Sequence, residues 1–313
     1  MADLYYHPFQ PSAWIEVSGE DAPRFLQGQF SNNLNRNEER PVTYGLWLDA
    51  KGKIEGDSFV LASGENRFYV FSYYSPAAEL VARLEKYIIA DDVEVVDRTD
   101  SMRGFSIWGS GVSVIPGVLG FPLPGETTYG ESGDAWVVPG RRTTGRNFDV
   151  LCPKERWDQD KRRIETSLHE IGCVPVGEVE SHYERIRSGI PAVPLDLGPR
   201  NLAQEGRIED VALSYTKGCY TGQEVMSRLR TMGKVRRRLV RVAVDGNIPA
   251  LPCPVYTDGG EAGTMTSSGC AGDERIAFVL ILRSLMGEAD KLSFRPSGDG
   301  RIRILDSGED DGG

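Results

Sequence analysis

The hydrophobic period changes along this chain, and that change limits the architectures open to it. Up to residue 96, short runs that alternate residue by residue (14–17, 44–48, 58–61, 68–71 and 93–96) are interrupted by two stretches at helical spacing. The first, residues 18–26, places acids before its apolar face. The second opens at Ser75-Pro76 and carries Leu80, Val81, Leu84 and Ile88 on one side. Strand, helix and strand in that order predict α+β lobes of ferredoxin-like type. Short strands at 107–114 and 136–138 and an amphipathic helix over 160–171, with Ile164, Leu168 and Ile171 inward, continue the pattern. After Leu239 helical spacing ends. Runs at 239–244, 254–257, 263–267, 275–281, 292–294 and 302–305, with Asp258-Gly259 as a tight hairpin turn, predict a small C-terminal β-barrel. The expected division is therefore 1–232 for two α+β lobes, 233–306 for the barrel, and an acidic, glycine-rich tail at 307–313 with nothing to bury.

At 313 residues the chain is long enough for two or three lobes with a sizeable core. A formal net charge of −10 argues against a general binder of nucleic acid or anionic membrane, so any anion site has to be local. Five cysteines without a Cys-x-x-Cys pair read as reduced thiols. The N-terminal residues lack a basic and apolar leader, and no run of ~18 apolar residues occurs, so a cytoplasmic location is expected.

One of those cysteines stands apart. Within Ser214-Tyr-Thr-Lys-Gly-Cys-Tyr-Thr-Gly-Gln-Glu-Val-Met-Ser-Arg228, Cys219 lies two residues after Lys217 and just before an expected helix. Thr221 and Glu224 have capping-box spacing, which predicts a helix from Gly222 through Arg230, ended by Gly233. A helix N-terminus and a nearby ammonium would both favour thiolate over thiol. The same residues also fit a small buried apolar cysteine beside a solvated lysine.

The segment Lys-Gly-Cys-Tyr-x-Gly-Gln-Glu resembles the signature of the YgfZ-type folate-binding proteins, relatives of the glycine cleavage T-protein (aminomethyltransferase). Other blocks resemble the superfamily as well. They are the Ser31-Asn32-Asn33 turn, Gly56-Asp57 where the T-protein has two aspartates, the segment from Arg142 to Asp149, the Glu184-Arg-Ile-Arg-Ser-Gly-Ile-Pro191 block, and the barrel strands. The resemblance implies tetrahydrofolate (or another folate) as cofactor, in the central hole of a three-lobed ring. It also implies a role in maintaining iron–sulfur enzymes and in tRNA modification, with iron–sulfur proteins as partners reached through Cys219 as functional thiol. Lys217 and Asp57 join Cys219 as candidate catalytic groups, and Arg185, Asp57, Tyr220, Gln223 and Glu224 as candidate folate contacts. A guanidinium at Arg185 suits the carboxylates of a folate's glutamate tail. The T-protein glutamate that grips the pterin is replaced here by Arg146, which accepts no hydrogen bond.

Two other functions compete. A folate-dependent aminomethyltransferase would need a base near the folate amine, and Asp57 is the matched candidate. A docking module for RNA would use the stretch from Arg228 to Arg241, where seven residues are basic and none acidic. An edge strand with water-facing arginines explains that stretch equally. The three histidines give no zinc spacing, Gly109-Ser-Gly111 fails the dinucleotide fingerprint, and neither a Gly-x-Ser-x-Gly elbow nor a phosphate loop occurs.

Overall fold

A computed structural model describes residues 4–34, 38–258, 260–295 and 300–306. The expected turn at Gly259 and the tail at 307–313 lie outside the described residues. The fold is mixed α+β, built on three sheets. The first sheet runs, edge to edge, Val42–Leu48, Ile54–Ala62, Arg67–Ser72, Ala13–Ser18 and Glu94–Asp97, all antiparallel, so the alternating runs of the sequence do pair with one another. Helix Ala77–Tyr87 covers one face, burying Leu80 and Leu84. Helix Ala22–Gln29 starts later than its acids suggest and has no side-chain cap.

The second sheet begins with the chain's own start, Leu4–Phe9, which lies between Val174–Pro175 and Met102–Gly109. Asn147–Pro153, Ala135–Pro139 and Gly130–Ser132 complete it. The strand expected over 107–114 ends at Gly109, and helical turns follow from Val112 to Val118. Helix Trp157–Glu170 buries Ile164 and Leu168 as its spacing predicts.

The third sheet, Cys253–Thr257, Gly260–Ala271, Glu274–Leu282, Arg237–Val244 and Ile302–Ile304, is a half-barrel. Single bridges through Ser293 to Tyr256 and to Arg301 link its edges, where a strand over 292–294 is expected. Helix Glu178–Arg187 lies along the strand Gly260–Ala271, where Gly269 leaves no room for a Cβ against the Tyr183 backbone.

Two apolar seams join the sheets. Trp14, Phe59, Leu61 and Phe71 of the first sheet pack with Met102, Val138 and Leu151 of the second, and Trp14 meets Trp136 with ring centroids 5.3 Å apart. Leu46, Leu48 and Ile54 pack through Ile186, Val193, Leu197 and Met226 onto Leu239, Phe278 and Leu280 of the half-barrel. At about 1.5–3 kcal/mol for each fully buried large side chain, these seams make the three sheets one packed unit. Among the described residues, no helix is long and apolar enough to cross a membrane.

Candidate functional site

The signature segment lies against the first lobe, and glycine makes that approach possible. Gly222 has φ +84°, and a Cβ there would come 2.7 Å from the Asp49 carbonyl oxygen. The Thr221 N–H donates to the Gly28 carbonyl at 3.2 Å. The signature helix runs Gln223–Met232 with Gly222 as N-cap and no side-chain cap. The expected capping box is therefore absent. Glu224 is exposed and pairs instead with Arg228 at 3.0 Å, one turn along.

Lys217 is placed differently from the sequence expectation. Its ammonium donates to the carbonyls of Gln27 (2.6 Å), Phe30 (2.8 Å) and Asn32 (3.0 Å). A lysine has three N–H donors, and all three are used. These carbonyls lie at the C-terminal end of helix Ala22–Gln29, where a cation meets unpaired acceptors and the negative end of the helix dipole. Burial pushes Lys217 down to about 8, while the three carbonyls favour its charged form. Lys217 is thus a clasp between the signature and the first lobe. Replacing it with Met is expected to cost ~2–3 kcal/mol, from carbonyls left poorly solvated. Urea denaturation measures that loss, and alkylation of Cys219 would speed up as its loop loosens.

Cys219 itself is exposed, whereas Cys152, Cys173 and Cys253 are buried and Cys270 is half-buried. It makes no hydrogen bond to the helix N-terminus among the described residues. The buried-cysteine alternative is excluded. Tyr220 points inward, 6% exposed, with its ring 5.1 Å from the Lys217 ammonium and its hydroxyl without a hydrogen-bond partner among the described residues. The Gln223 side-chain amide donates to the Lys217 carbonyl at 3.3 Å.

A second set of polar groups is buried where the sheets meet. Asp57, on the strand Ile54–Ala62, accepts hydrogen bonds from Tyr44 (2.9 Å), Ser72 (3.1 Å) and Ser75 (2.8 Å). Burial raises its pKa, and the three hydroxyls and the Arg141 charge oppose that rise. On the second sheet Asp149, fully buried, accepts from Tyr73 and from Ser106 at 2.6 Å. Desolvation pushes Asp149 up to about 6 against the pull of Arg142. The buried Arg142 guanidinium donates to Ser106 (3.0 Å) and Tyr74 (2.5 Å). The Tyr73 hydroxyl also accepts the Arg141 backbone N–H at 3.0 Å. Asp149, Tyr73 and Arg142 were not singled out from the sequence. The available signal was an acid inside the apolar run Phe148-Asp-Val-Leu-Cys152, since a buried carboxylate has to find partners.

Arg185 is 1% exposed and spends its guanidinium inside the protein. It donates to Asp196 (2.7 Å), His182 (3.0 Å), the Ile190 carbonyl (3.2 Å) and Ser267 (2.8 Å). Its observed place is a brace between helix Glu178–Arg187 and the half-barrel rather than a surface clamp. Most of the basic stretch is likewise engaged. Arg228, Arg237 and Arg241 pair with Glu224, Glu205 and Asp306, Arg230 stacks 4.3 Å over Tyr215, and Arg238 is buried.

Two cavities open beside the buried network. The inner one, of about 220 Å³, is lined by Asn32, Tyr44, Phe59, Glu126 and Arg141 among others. The outer one, of about 510 Å³, adds Arg146, Arg207 and Ile190. Both include Glu126, Pro139, Gly140, Arg141 and Val211, so they form one groove. Arg141 lies 3.9 Å over the Tyr44 ring, and Tyr44 separates the groove from Asp57. Cys219, Lys217, Asp57, Arg185, Tyr220, Gln223 and Glu224 do not line this groove.

Residues 10–115 match the GCVT N-terminal domain family. Over 97% of its length the chain superposes on the glycine cleavage system aminomethyltransferase T of Bartonella henselae, with TM-score 0.80, 17% identity and 86% of that chain covered. The signature, the domain match and the shared fold agree. The first third of the chain matches that domain family, and the whole chain shares the T-protein fold. The chain is also similar to the mitochondrial iron-sulfur cluster assembly factor IBA57 homologue of Cryptococcus neoformans, 26% identical over 245 residues. That match covers 73% of this chain and 63% of the relative. The tRNA-modifying protein YgfZ of Colwellia psychrerythraea is 24% identical over 229 residues, covering 72% and 67%. The chain therefore spans less than two thirds of the first of these relatives.

Proposed function

We propose that the chain is a YgfZ-type protein that binds tetrahydrofolate and supports iron–sulfur enzymes and tRNA modification through Cys219. The observation that carries the folate part is the groove itself. Its inner end has an aromatic wall, Tyr44 and Phe59, for a flat ring system, and Glu126 is an exposed carboxylate lining both halves. With Arg146 in the place of the T-protein glutamate, Glu126 supplies an acceptor for pterin N–H groups. When bound, tetrahydrofolate supplies a reduced pterin whose amine carries one-carbon units. The chain's own residues would bind and orient it, Tyr44 and Arg141 closing the inner wall. In this reading the three sheets form a ring around the groove, with the barrel over 233–306 as its third lobe, and the protein acts in the cytoplasm.

The names of the IBA57 and YgfZ relatives support the iron–sulfur and tRNA part. Cys219 is the exposed thiol of the signature and fits a step that another protein has to reach. The alternative, one-carbon transfer with Asp57 as base, is supported by the T-protein fold. Against it, Asp57 accepts three hydroxyls, one of them that of Tyr44, and is not among the residues that line the groove.

Titration with tetrahydrofolate, followed by protein fluorescence, is expected to give saturable binding that Glu126→Gln weakens about tenfold, the worth of one charged hydrogen bond. Cys219→Ala is expected to leave that binding intact and to abolish support of an iron–sulfur enzyme in cells lacking the protein. Unchanged support would remove Cys219 from the function. Aminomethyl transfer from a lipoyl carrier that Asp57→Asn abolishes would establish the alternative.

A further inference from the structure

The surroundings of the signature helix, Gln223–Met232, run against the charge of the whole chain. At its start the helix meets the turn over 49–53. A Cβ on Gly52 would come 2.5 Å from Met226 and 3.3 Å from Val225, and a Cβ on Gly222 would come 3.2 Å from the Gly52 backbone. Lys51 is therefore held, exposed, beside the first turn and a few residues from Cys219. Lys53 donates to the Arg200 carbonyl at 3.1 Å and Arg237 donates to the same oxygen at 3.1 Å, so the exposed Arg200 lies along the flank. At the far end, about 15 Å along a helix of 10 residues, the exposed Lys234 and Arg236 follow.

None of Lys51, Arg200, Lys234 and Arg236 forms an ion pair among the described residues. Exposed arginines elsewhere do, as Arg24 with Asp21 and Asp91, and Arg187 with Glu184. The acids near the helix are already occupied. The Asp49 carboxylate accepts the N–H groups of Lys51 (2.8 Å) and Lys53 (2.7 Å), Glu205 is buried against Arg237, and Glu224 pairs with Arg228. On a chain of net charge −10, a basic face of this kind selects a partner by charge.

We propose that this helix face docks an acidic protein partner, whose carboxylates seat on Lys51, Arg200, Lys234 and Arg236 and so bring its reacting group to Cys219. The inference rests on the reading of Cys219 as the functional thiol, and it names the chemistry of what has to reach that thiol. The clasp at Lys217 holds the Cys219 loop in a fixed place beside the helix. Glu224 favours a protein over a nucleic acid. Its side chain is 87% exposed on the same helix, where a phosphate backbone has no group to pair with it and a protein surface of mixed charge does.

The test compares the wild-type chain with Lys51→Glu/Arg200→Glu/Lys234→Glu/Arg236→Glu. All four side chains are exposed and lie outside the groove, so the variant is expected to fold and to bind tetrahydrofolate as wild type does. Lys51→Gln/Lys234→Gln, which adds no new charge, should fall between the two. Cys219 is first reacted at low ionic strength with dithiobis-nitrobenzoate, a dianion, and with neutral dithiodipyridine, each rate corrected by Cys219→Ala. The ratio of dianion to neutral rate should be at least about tenfold higher in wild type than in the fourfold variant, and the excess should vanish in high salt. Equal ratios overturn the proposal, because the face then exerts no field at the thiol. In cells lacking the protein, the fourfold variant should lose support of the iron–sulfur enzyme as fully as Cys219→Ala does. Support kept by the variant and lost in Cys219→Ala overturns the docking face alone. Support kept in Cys219→Ala overturns the thiol reading, and the docking face with it. Binding of unmodified tRNA that the variant loses and Glu224→Lys strengthens would make the face a phosphate surface and overturn the proposal. Dimerisation that the variant abolishes would make the occupant a second copy of the chain and overturn it too.

Discussion

Asp196→Ala is expected to destabilise the protein by roughly 3–5 kcal/mol, among the largest losses any single surface-to-core replacement should produce here. The Asp196 carboxylate accepts from Arg185 (2.7 Å), the Ala192 N–H (2.8 Å), Thr266 (2.6 Å) and Ser267 (2.6 Å), with almost no exposed side-chain surface on either member of the ion pair. Its removal leaves a guanidinium in the interior with only neutral acceptors, and it unpins the half-barrel strand from helix Glu178–Arg187. Arg185→Ala should cost less. The carboxylate it exposes keeps three other donors, whereas the arginine without Asp196 keeps no anion. Chemical denaturation of both variants measures the asymmetry. Equal losses, or a larger loss in Arg185→Ala, would show that the brace is held by packing and not by the buried charge.

That brace also marks where sequence reasoning stopped. Strands of the first sheet and of the half-barrel were legible as short runs rich in β-branched and aromatic residues broken by single polar ones, as in Trp14-Ile-Glu-Val17 and Leu239-Val-Arg-Val-Ala-Val244. Asn147–Pro153 was not, because the strand is buried on both faces almost throughout and does not alternate. Helix Glu178–Arg187 was hidden by its polar composition. The signature was legible as a motif, and its exposed thiol agrees with that reading. Its electrostatics were not legible, since no local spacing shows that Lys217 reaches carbonyls nearly 190 positions earlier. Arg185 failed in the same way. Its partner Asp196 lies 11 residues on, beyond helical contact range, and Ser267 lies 82 residues on. A charged residue in a motif shows that a charge is needed, and only the fold shows whether a ligand or another side chain uses it.

The Asp149 carboxyl gives the second large effect, and its sign runs against the usual expectation for an acid beside an arginine. Burial raises its folded pKa to about 6, whereas the unfolded carboxyl titrates at ~3.9. Between those values the folded chain holds a proton that the unfolded chain has released. Stability therefore falls as pH rises from about 4 to about 6 and is unaffected by this group above that window, a change of up to ~3 kcal/mol. An asparagine side chain cannot titrate. In Asp149→Asn this slope should vanish, while every other group, Asp57 included, titrates as before. The measurable quantity is the stability of wild type minus that of Asp149→Asn, from urea melts at pH 4, 5, 6 and 7, where shared acid effects cancel. It should shrink as pH rises. A difference that grows with pH would mean that Arg142 wins over burial and holds Asp149 ionised throughout. Function follows from the same network, because the Tyr73 hydroxyl that donates to Asp149 also accepts the Arg141 N–H. Protonating Asp149 near pH 6 then changes the support beneath the arginine that lines both halves of the groove, and ligand affinity should change across the same window.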